Sequence, residues 1–479
     1  MSRSASIRSA ALVAVLVVAA WAAAALVGGT VGGGEDPRPS PVLPHAGEDG
    51  APEDPFAYDP DRREEFERRA AAGLAHVLYA KSPGGALASA ARVARYRGLI
   101  EEVAGDHDPD VLEAMVLLES AGRPDAMAGG TEGAVGLAQI LAETGANLLR
   151  MRVDVAASRR LTKRIARALR RGQAARAERL RAERRRVDER YDPPKALAAM
   201  VRYLDFARGE LDGRDDMAVA SYHMGVGNLQ GVLDAFGAGE DTPYAEVFFD
   251  SSPLRHPEAW GRLARLGDDS STYLWRVRAA REIMRLHRED PDGLARLAEL
   301  HGNKGSAEEV LHRPDRTALF AEPEAIETAL DGGELVALPA DDLRAAGVAI
   351  DRRMGELARR QSAGPELYRA LRPEALALLD YLGRGVKAIG RDEPLLLTST
   401  VRDLGYQRLL ARRNREATHG YSLHTTGWAF DVERRYRSRA QALAFQFMLD
   451  RLQALNLIAW VREPAAIHVT VGGDARALL

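Results

Sequence analysis

The spacing of apolar and polar residues changes along the chain and divides it into regions. The first region is an unbroken apolar run over residues 10–27, preceded by Arg3 and Arg8 and followed by glycines. A positive flank, an apolar core and small residues are typical of a secretory signal, and a run of roughly 18 residues is also just long enough to span a bilayer. We therefore assign residues 1–30 to a signal peptide or a membrane anchor, and we expect the rest of the chain to be exported.

A short linker separates this segment from helical and mixed regions. Residues 31–60 are rich in Gly, Pro and acidic residues, which is typical of a linker. Residues 61–240 carry Ala, Leu and Arg at helical spacing, residues 241–364 are mainly helical with Pro and Gly breaks, and residues 365–479 add short β-like runs. The pattern predicts a multidomain chain with a mainly α N-terminal domain, a helical spacer and an α+β C-terminal domain.

Composition narrows the possible chemistry. The 479 residues carry a formal net charge of -3, which indicates no particular partner, and 46% of them are hydrophobic. No cysteine is present, so disulfides, thiolate metal sites and a cysteine nucleophile are excluded. Basic charge is concentrated in about residues 151–190, where arginines flank a thin apolar stripe. This insertion predicts a solvated helical hairpin. The alternative is a clamp on an anionic polymer or lipid headgroups, whereas an exported chain is not expected to bind nucleic acid.

A single carboxylate lies on an otherwise apolar helix face. The helix that begins near Asp108 carries Leu112, Met115, Val116 and Glu119 at spacings of three and four, so these residues share one face. A carboxylate on a face that packs into a core is desolvated, which raises its pKa and favours the protonated form. A general acid needs this form near neutral pH. Considered alone, Glu119 could instead lie at the edge of the stripe and point into water.

Two further motifs follow Glu119 in a fixed order. The pair Glu119-Ser120 is followed by the run GAVGLAQI at residues 133–140 and by the run ASYHMGVGN at residues 220–228. Together they resemble the soluble lytic transglycosylases, which have a lysozyme-like helical fold. That family's pattern is a Glu-Ser pair, a Gly-Ala-x-Gly-Leu-Met-Gln-Ile run and an Ala-Tyr-Asn-Ala-Gly-x-Gly turn. The resemblance covers about residues 108–237.

The resemblance implies a cofactor-free cut in the glycan strands of peptidoglycan. Glu119 would be the one catalytic acid and base, first protonating the oxygen between N-acetylmuramic acid and N-acetylglucosamine. It would then take the proton of the sugar's own 6-hydroxyl as a 1,6-anhydro ring closes. The chain departs from the pattern at Ala138, where Met is usual, and at His223, where Asn is usual, which leaves a hydrolytic muramidase as an alternative. The implied substrate-binding residues are Ser120, Gln139, Tyr222 and His223.

Two histidines and an aspartate near the C-terminus form a second candidate site. Asp431 alternates with bulky apolar residues over residues 428–432, and His468 alternates with apolar residues over residues 467–471, so each is predicted to lie on a strand. If the strands are neighbours, both residues can meet His424. Two imidazoles and one carboxylate leave a fourth position open, which suits catalytic Zn²⁺. The alternative is that the three polar residues are unrelated.

This region also resembles a family, the zinc D-Ala-D-Ala carboxypeptidases and dipeptidases. The family motif Ser-x-His-x-x-Gly-x-Ala-x-Asp is matched from Ser422 to Asp431, and the resemblance covers about residues 395–471. It implies Zn²⁺ on His424, Asp431 and His468, with Ser422 contacting the substrate. The family's arginine, which polarises the scissile carbonyl, corresponds to Arg402. The family's general base is a glutamate three residues before the last histidine. Here the candidate for this role is Glu463, which precedes His468 by five residues.

Both resemblances imply the same substrate, peptidoglycan. We expect an enzyme exported to the periplasmic or extracellular side of the cell wall, where a domain at residues 61–240 cuts glycan strands. A zinc peptidase domain at residues 365–479 would trim stem peptides, and residues 241–364 would join the two. The basic insertion would then contact an anionic wall polymer or the membrane. The alternatives are a glycan cutter whose C-terminal domain only binds peptidoglycan, and a non-catalytic wall scaffold.

Overall fold

A computed structural model describes residues 54–302, 307–390, 394–412 and 421–479. The predicted signal or anchor at residues 1–30 and most of the predicted linker lie outside the described residues. Within the described ranges, no helix combines the length and the apolar character that crossing a membrane requires. The chain is mainly helical with a small mixed sheet near the C-terminus, as the hydrophobic pattern predicts at this coarse level.

The helices are mostly short, and many begin at a side chain that caps the backbone. Asp108, Asp154, Asp192, Asp403 and Ser438 each accept a hydrogen bond from a backbone N–H of the first turn. In chain order the α-helices are α1 Arg63–Leu74, α2 His76–Lys81, α3 Ala86–Ala94, α4 Arg97–Val103, α5 Pro109–Ser120, α6 Val155–Arg170, α7 Ala174–Val187, α8 Pro193–Glu210, α9 Asp215–Met224, α10 Val226–Phe236, α11 Tyr244–Asp250, α12 Pro257–Arg265, α13 Tyr273–Glu289, α14 Pro291–Gly302, α15 Glu308–Leu311, α16 Pro323–Asp331, α17 Ala340–Ala345, α18 Pro373–Gly390, α19 Leu404–Ala411 and α20 Arg439–Ala454.

The strands are also short, and five of them form the main sheet. The order in that sheet is β4-β6-β7-β9-β8, with β4 parallel to β6 and the other neighbours antiparallel. The expected strands near residues 395, 428 and 467 are present as β6, β7 and β9. The strands are β1 Met127–Ala128, β2 Ala134–Val135, β3 Val336–Ala337, β4 Val348–Ile350, β5 Ala370–Leu371, β6 Leu395–Ser399, β7 Ala429–Glu433, β8 Ile458–Arg462 and β9 Ala466–Val471.

The chain divides into two compact units. The helical unit contains the described residues of Leu74–Gln230 and Thr272–Gly305. The sheet unit contains the described residues of Met1–Gly73, Gly231–Ser271 and Ser306–Leu479. Both units therefore combine segments that are distant in sequence.

In the helical unit, α5 is the central helix. Its face of Leu112, Met115 and Val116 is almost fully buried, as the spacing predicts. Helix α13 packs along α5, and its Arg288 pairs with the buried carboxylate of Glu113. A buried carboxylate is tolerated only when it is paired, so this contact fixes the two helices against each other.

The basic insertion folds as a helical hairpin of α6 and α7 with a small core of its own. Leu161 and Ile165 of the predicted apolar stripe are buried in this core, and α7 adds Ala177 and Leu180. Leu169, the third residue of the predicted stripe, is exposed. Five arginines of α6 are exposed; they are Arg159, Arg160, Arg164, Arg167 and Arg170.

In the sheet unit, two long helices cover the sheet. Helices α18 and α20 pack against each other, and α18 also packs against β9. Both faces of the central strands are buried, because apolar residues face the helices and the polar residues of the second candidate site face the other way. The core between helices and sheet includes Leu378, Leu382, Phe430, Phe445, Met448 and Val469.

Candidate active sites

Glu119 lies at the C-terminal end of α5, and its side chain is partly buried. The hydroxyl of Tyr273, in the first turn of α13, donates a hydrogen bond of 2.6 Å to Glu119 Oε1. Burial raises the pKa of Glu119 to about 7, although the Tyr273 hydroxyl and the positive charge of Arg276 act in the opposite direction. The raised pKa therefore favours the protonated form near neutral pH, which is the form that a general acid needs.

Two aromatic side chains from the third motif lie beside this carboxyl group. The ring of Tyr222 stacks on Tyr273 with 6.1 Å between centroids, and the ring of His223 stacks on Tyr273 at 5.5 Å. The Tyr222 hydroxyl donates a 2.7 Å hydrogen bond to the carbonyl oxygen of Ala138, so the third motif is tied to the second. Tyr222 is partly buried and His223 is exposed. Helices α9 and α13 thus build one aromatic wall next to Glu119.

The other two residues predicted to bind substrate face the backbone. The Ser120 side chain is buried, and its hydroxyl donates to the carbonyl oxygen of Val116 one turn earlier in α5. The Gln139 amide donates a 2.9 Å hydrogen bond to the carbonyl oxygen of Gly136. Ser120 therefore supports the helix end, and Gln139 supports the loop that follows β2.

A buried arginine holds the loop of the second motif. The Arg190 guanidinium pairs with Asp188 and donates to the carbonyl oxygens of Thr131, Gly133 and Ile140 at 3.0 to 3.2 Å. Both charged side chains are fully buried. The glycine of this loop at position 136 has φ of +82°, and a Cβ there would lie 1.9 Å from the backbone oxygen of Arg190. Only glycine fits this close backbone approach.

The second candidate site is a buried group of His424, Asp431 and His468. Strands β7 and β9 are antiparallel neighbours, and their register places Asp431 directly opposite His468. Asp431 Oδ1 lies 3.1 Å from His424 Nε2 and 2.8 Å from His468 Nδ1. One ligand atom from each residue falls within 4.8 Å of the other two, so the group can hold a metal ion. The condition that the two strands are neighbours, on which the prediction depended, is confirmed.

The donor set fits a metal because each ligand has a second partner outside the group. His424 Nδ1 lies 2.7 Å from the carbonyl oxygen of Thr400, which leaves Nε2 as the lone-pair atom facing Asp431. Arg402 donates to Asp431 Oδ2 at 3.0 Å, so Asp431 keeps Oδ1 for the group. The guanidinium of Arg402 is buried and also contacts Gln407, which places it behind the carboxylate.

The charge states follow from the same contacts. Burial and the nearby Arg402 lower the pKa of His424 to about 4, so this ring is neutral, as a metal ligand must be. Burial opposes ionisation of Asp431, but its two histidine partners hold the pKa well below the usual range. Burial also disfavours a charged His468, but Asp431 and Glu308 outweigh it and raise the pKa of His468 to about 10. Without a metal ion this ring is therefore charged near neutral pH, and it would release a proton when it binds one.

Two predicted residues of this site lie at its margins. Glu463 occupies the turn between β8 and β9, where its backbone N–H donates to the carbonyl oxygen of Ala466. It is not one of the three residues that converge on a common point. Ser422 is buried and precedes the single helical turn Leu423–Thr426, which carries His424.

Tyr273 and Glu308 contact the two candidate sites, and the sequence motifs do not reveal either residue. Both come from residues 241–364, where the hydrophobic pattern indicates only a helical spacer. Glu308 Oε1 lies 3.1 Å from His468 Nε2. Each is a single polar residue near the start of a helix, which is a common pattern without functional meaning.

A comparison with protein-family models and a comparison with curated proteins each find no match to the chain. The sequence motifs and the geometry of the two sites are therefore the basis for their proposed functions.

Proposed function

We propose that the protein is an exported peptidoglycan-remodelling enzyme, and that its helical unit is a lysozyme-like lytic transglycosylase. The observation that carries this proposal is Glu119, a partly buried carboxyl group whose pKa is about 7, beside an aromatic wall. A group with this pKa can both give and take a proton near neutral pH, so one residue can serve as acid and base. Aromatic side chains are suitable surfaces for the apolar faces of sugar rings.

The reaction uses the two oxygens of Glu119 differently. Oε1 accepts the Tyr273 hydrogen bond, so Oε2 is the oxygen that carries the transferable proton. Protonated Glu119 gives this proton to the glycosidic oxygen while the bond from that oxygen to C1 of N-acetylmuramic acid breaks. The carboxylate then accepts the proton of the 6-hydroxyl on the same sugar, and the oxygen bonds to C1. No water is consumed, and Glu119 ends in its original protonated state.

The surroundings of Glu119 favour this route over a two-carboxylate hydrolysis. Among the described residues, the groups that act on the charge of Glu119 are Tyr273 and Arg276, and neither is a carboxylate. A retaining glycosidase needs a second carboxylate as nucleophile, and an inverting one needs it as base. Arg276 stabilises the anionic form of Glu119 that exists between the two proton transfers.

A second candidate function, in the sheet unit, is a zinc-dependent peptidase acting on the stem peptides of the same polymer. The observation that favours it is the buried group of His424, Asp431 and His468. When bound, zinc would supply Lewis-acid polarisation of a carbonyl group or of water. The three residues would hold it through Nε2, Oδ1 and Nδ1, respectively. The Arg402 contact would keep Asp431 oriented, whereas Glu463 as a base remains a prediction.

The basic hairpin of α6 and α7 is a candidate surface for anionic wall polymer or membrane.

Variants at Glu119 test the glycan-cutting proposal. Purified peptidoglycan is digested with the wild type, Glu119→Gln and Glu102→Gln, the last being the same change at an exposed position. We expect soluble fragments with 1,6-anhydro ends from the wild type and from Glu102→Gln, and a loss of at least about a thousandfold in rate for Glu119→Gln. Equal rates for all three proteins would overturn the proposal.

A further inference from the structure

The two imidazoles of the metal-binding group are held by opposite ring nitrogens. His424 presents Nε2 to Asp431 and has Nδ1 against the carbonyl oxygen of Thr400. His468 presents Nδ1 to Asp431 and has Nε2 against the carboxylate of Glu308, at 3.1 Å. A backbone carbonyl therefore supports the first ring, and a charged side chain supports the second.

Glu308 reaches this position from a short helix that packs on the sheet. Helix α15, which begins at Glu308, contacts β8 and β9, and the Glu308 side chain is only 10% exposed. Burying a carboxylate is costly unless a cationic or hydrogen-donating group compensates it. The imidazole of His468, whose Nε2 lies at an ion-pair distance of 3.1 Å from Glu308 Oε1, supplies this compensation, and the hydroxyl of Thr470 lies 3.4 Å from the same nitrogen.

We propose that Glu308 is a positioning residue for the metal centre, which keeps the proton of His468 on Nε2 and so presents the Nδ1 lone pair to the ion. This inference rests on the proposed metal site. A carboxylate behind a ligating histidine fixes the orientation and the tautomer of the ring and increases its basicity. The negative charge of Glu308 also adds to that of Asp431 and favours a divalent cation at the group.

Glu308 acts through His468 and not on the ion itself. It contacts the ring nitrogen that points away from the other two ligands, and it is not a member of the converging group. It is therefore distinct from the predicted general base Glu463, which lies in the turn between β8 and β9.

The adjacent residue provides a matched control. Glu309 belongs to the same four-residue helix and is 4% exposed, but the glutamate at ion-pair distance from His468 is Glu308. Glu308→Gln and Glu309→Gln thus make the same chemical change at two similarly buried positions. Both variants are prepared in the full chain, and near-ultraviolet circular dichroism compares their folding with that of the wild type.

The measurement is the affinity for zinc alone, obtained by competition with a chromogenic chelator. We expect one bound zinc per wild-type chain, an affinity at least tenfold lower for Glu308→Gln, and an unchanged affinity for Glu309→Gln. With cobalt in place of zinc, the visible absorption of Glu308→Gln should shift or weaken, because a misoriented His468 changes the ligand field.

The outcomes separate this inference from the metal site on which it rests. A wild type that binds no zinc would overturn the metal centre and the role of Glu308 together. A wild type that binds zinc, with the same affinity and cobalt spectrum in Glu308→Gln, would overturn the role of Glu308 alone. Equal losses in Glu308→Gln and Glu309→Gln would show that both residues only support the fold around α15.

Discussion

Replacing Glu119 by Gln should stabilise the protein, and by an amount that depends on pH. Burial raises the pKa of this carboxyl group from its ordinary value of 4.5 to about 7 in the folded chain. Between these two values the folded chain holds a proton that the unfolded chain has released. The free energy of unfolding therefore falls as the pH rises through this window. At 1.36 kcal/mol per pKa unit, the loss is about 3 kcal/mol once the pH exceeds about 7.

The free energy of unfolding of Glu119→Gln does not fall in this way, because a glutamine side chain does not titrate. The new side chain keeps an oxygen that can accept the hydrogen bond of Tyr273, so the local packing is preserved. Relative to the wild type, the stability of Glu119→Gln should rise by about 3 kcal/mol between about pH 4 and about pH 8. The exposed control Glu102→Gln should show no comparable rise.

Urea unfolding of the full chain at several pH values, followed by fluorescence, measures these differences. A stability difference between Glu119→Gln and the wild type that is the same at both ends of the pH range would contradict the raised pKa of Glu119, because a packing effect does not titrate. A difference that falls with rising pH would mean that the folded protein favours the charged carboxylate.

Three further changes test other contacts. Tyr273→Phe removes a hydrogen bond that lowers the pKa of Glu119, so the alkaline limb of the pH–rate profile for glycan cutting should move to higher pH; an unmoved limb would contradict the assigned contact. Gly136→Ala places a Cβ 1.9 Å from the backbone oxygen of Arg190 at a residue with positive φ. Thermal unfolding should therefore show a free energy of unfolding that is lower by about 2 kcal/mol or more. An unchanged midpoint of thermal unfolding would contradict the close approach. His424→Ala removes one of three ligands and should abolish stoichiometric zinc in elemental analysis, whereas retained zinc would place the metal elsewhere.

Much of each candidate site follows from local sequence pattern. Period-two alternation predicts the strands of Asp431 and His468, and helical spacing predicts the buried face of α5. These predictions succeed because the face on which a strand or helix residue lies is set by its spacing from residues close in sequence. The predicted meeting of Asp431 and His468 required β7 and β9 to be neighbouring strands, and the structure confirms that they are.

Contacts made by distant segments could not be predicted in this way. Tyr273 is 154 residues from Glu119, and its pattern is only that of a tyrosine in the first turn of a helix. Glu308 lies in a four-residue helix far upstream of His468. Which carboxylate lies behind which histidine depends on the packing of α15 on the sheet, and neither periodicity nor motif spacing encodes this packing.

The most direct test of the central claim is the fate of water in the glycan-cutting reaction. Purified peptidoglycan is digested by the wild type in water enriched in heavy oxygen, and the muramic acid ends are analysed by mass spectrometry. We expect 1,6-anhydro ends without heavy oxygen, because the sugar's own 6-hydroxyl closes the ring and Glu119 transfers both protons. Reducing ends that carry heavy oxygen would contradict it and would assign the helical unit to hydrolysis.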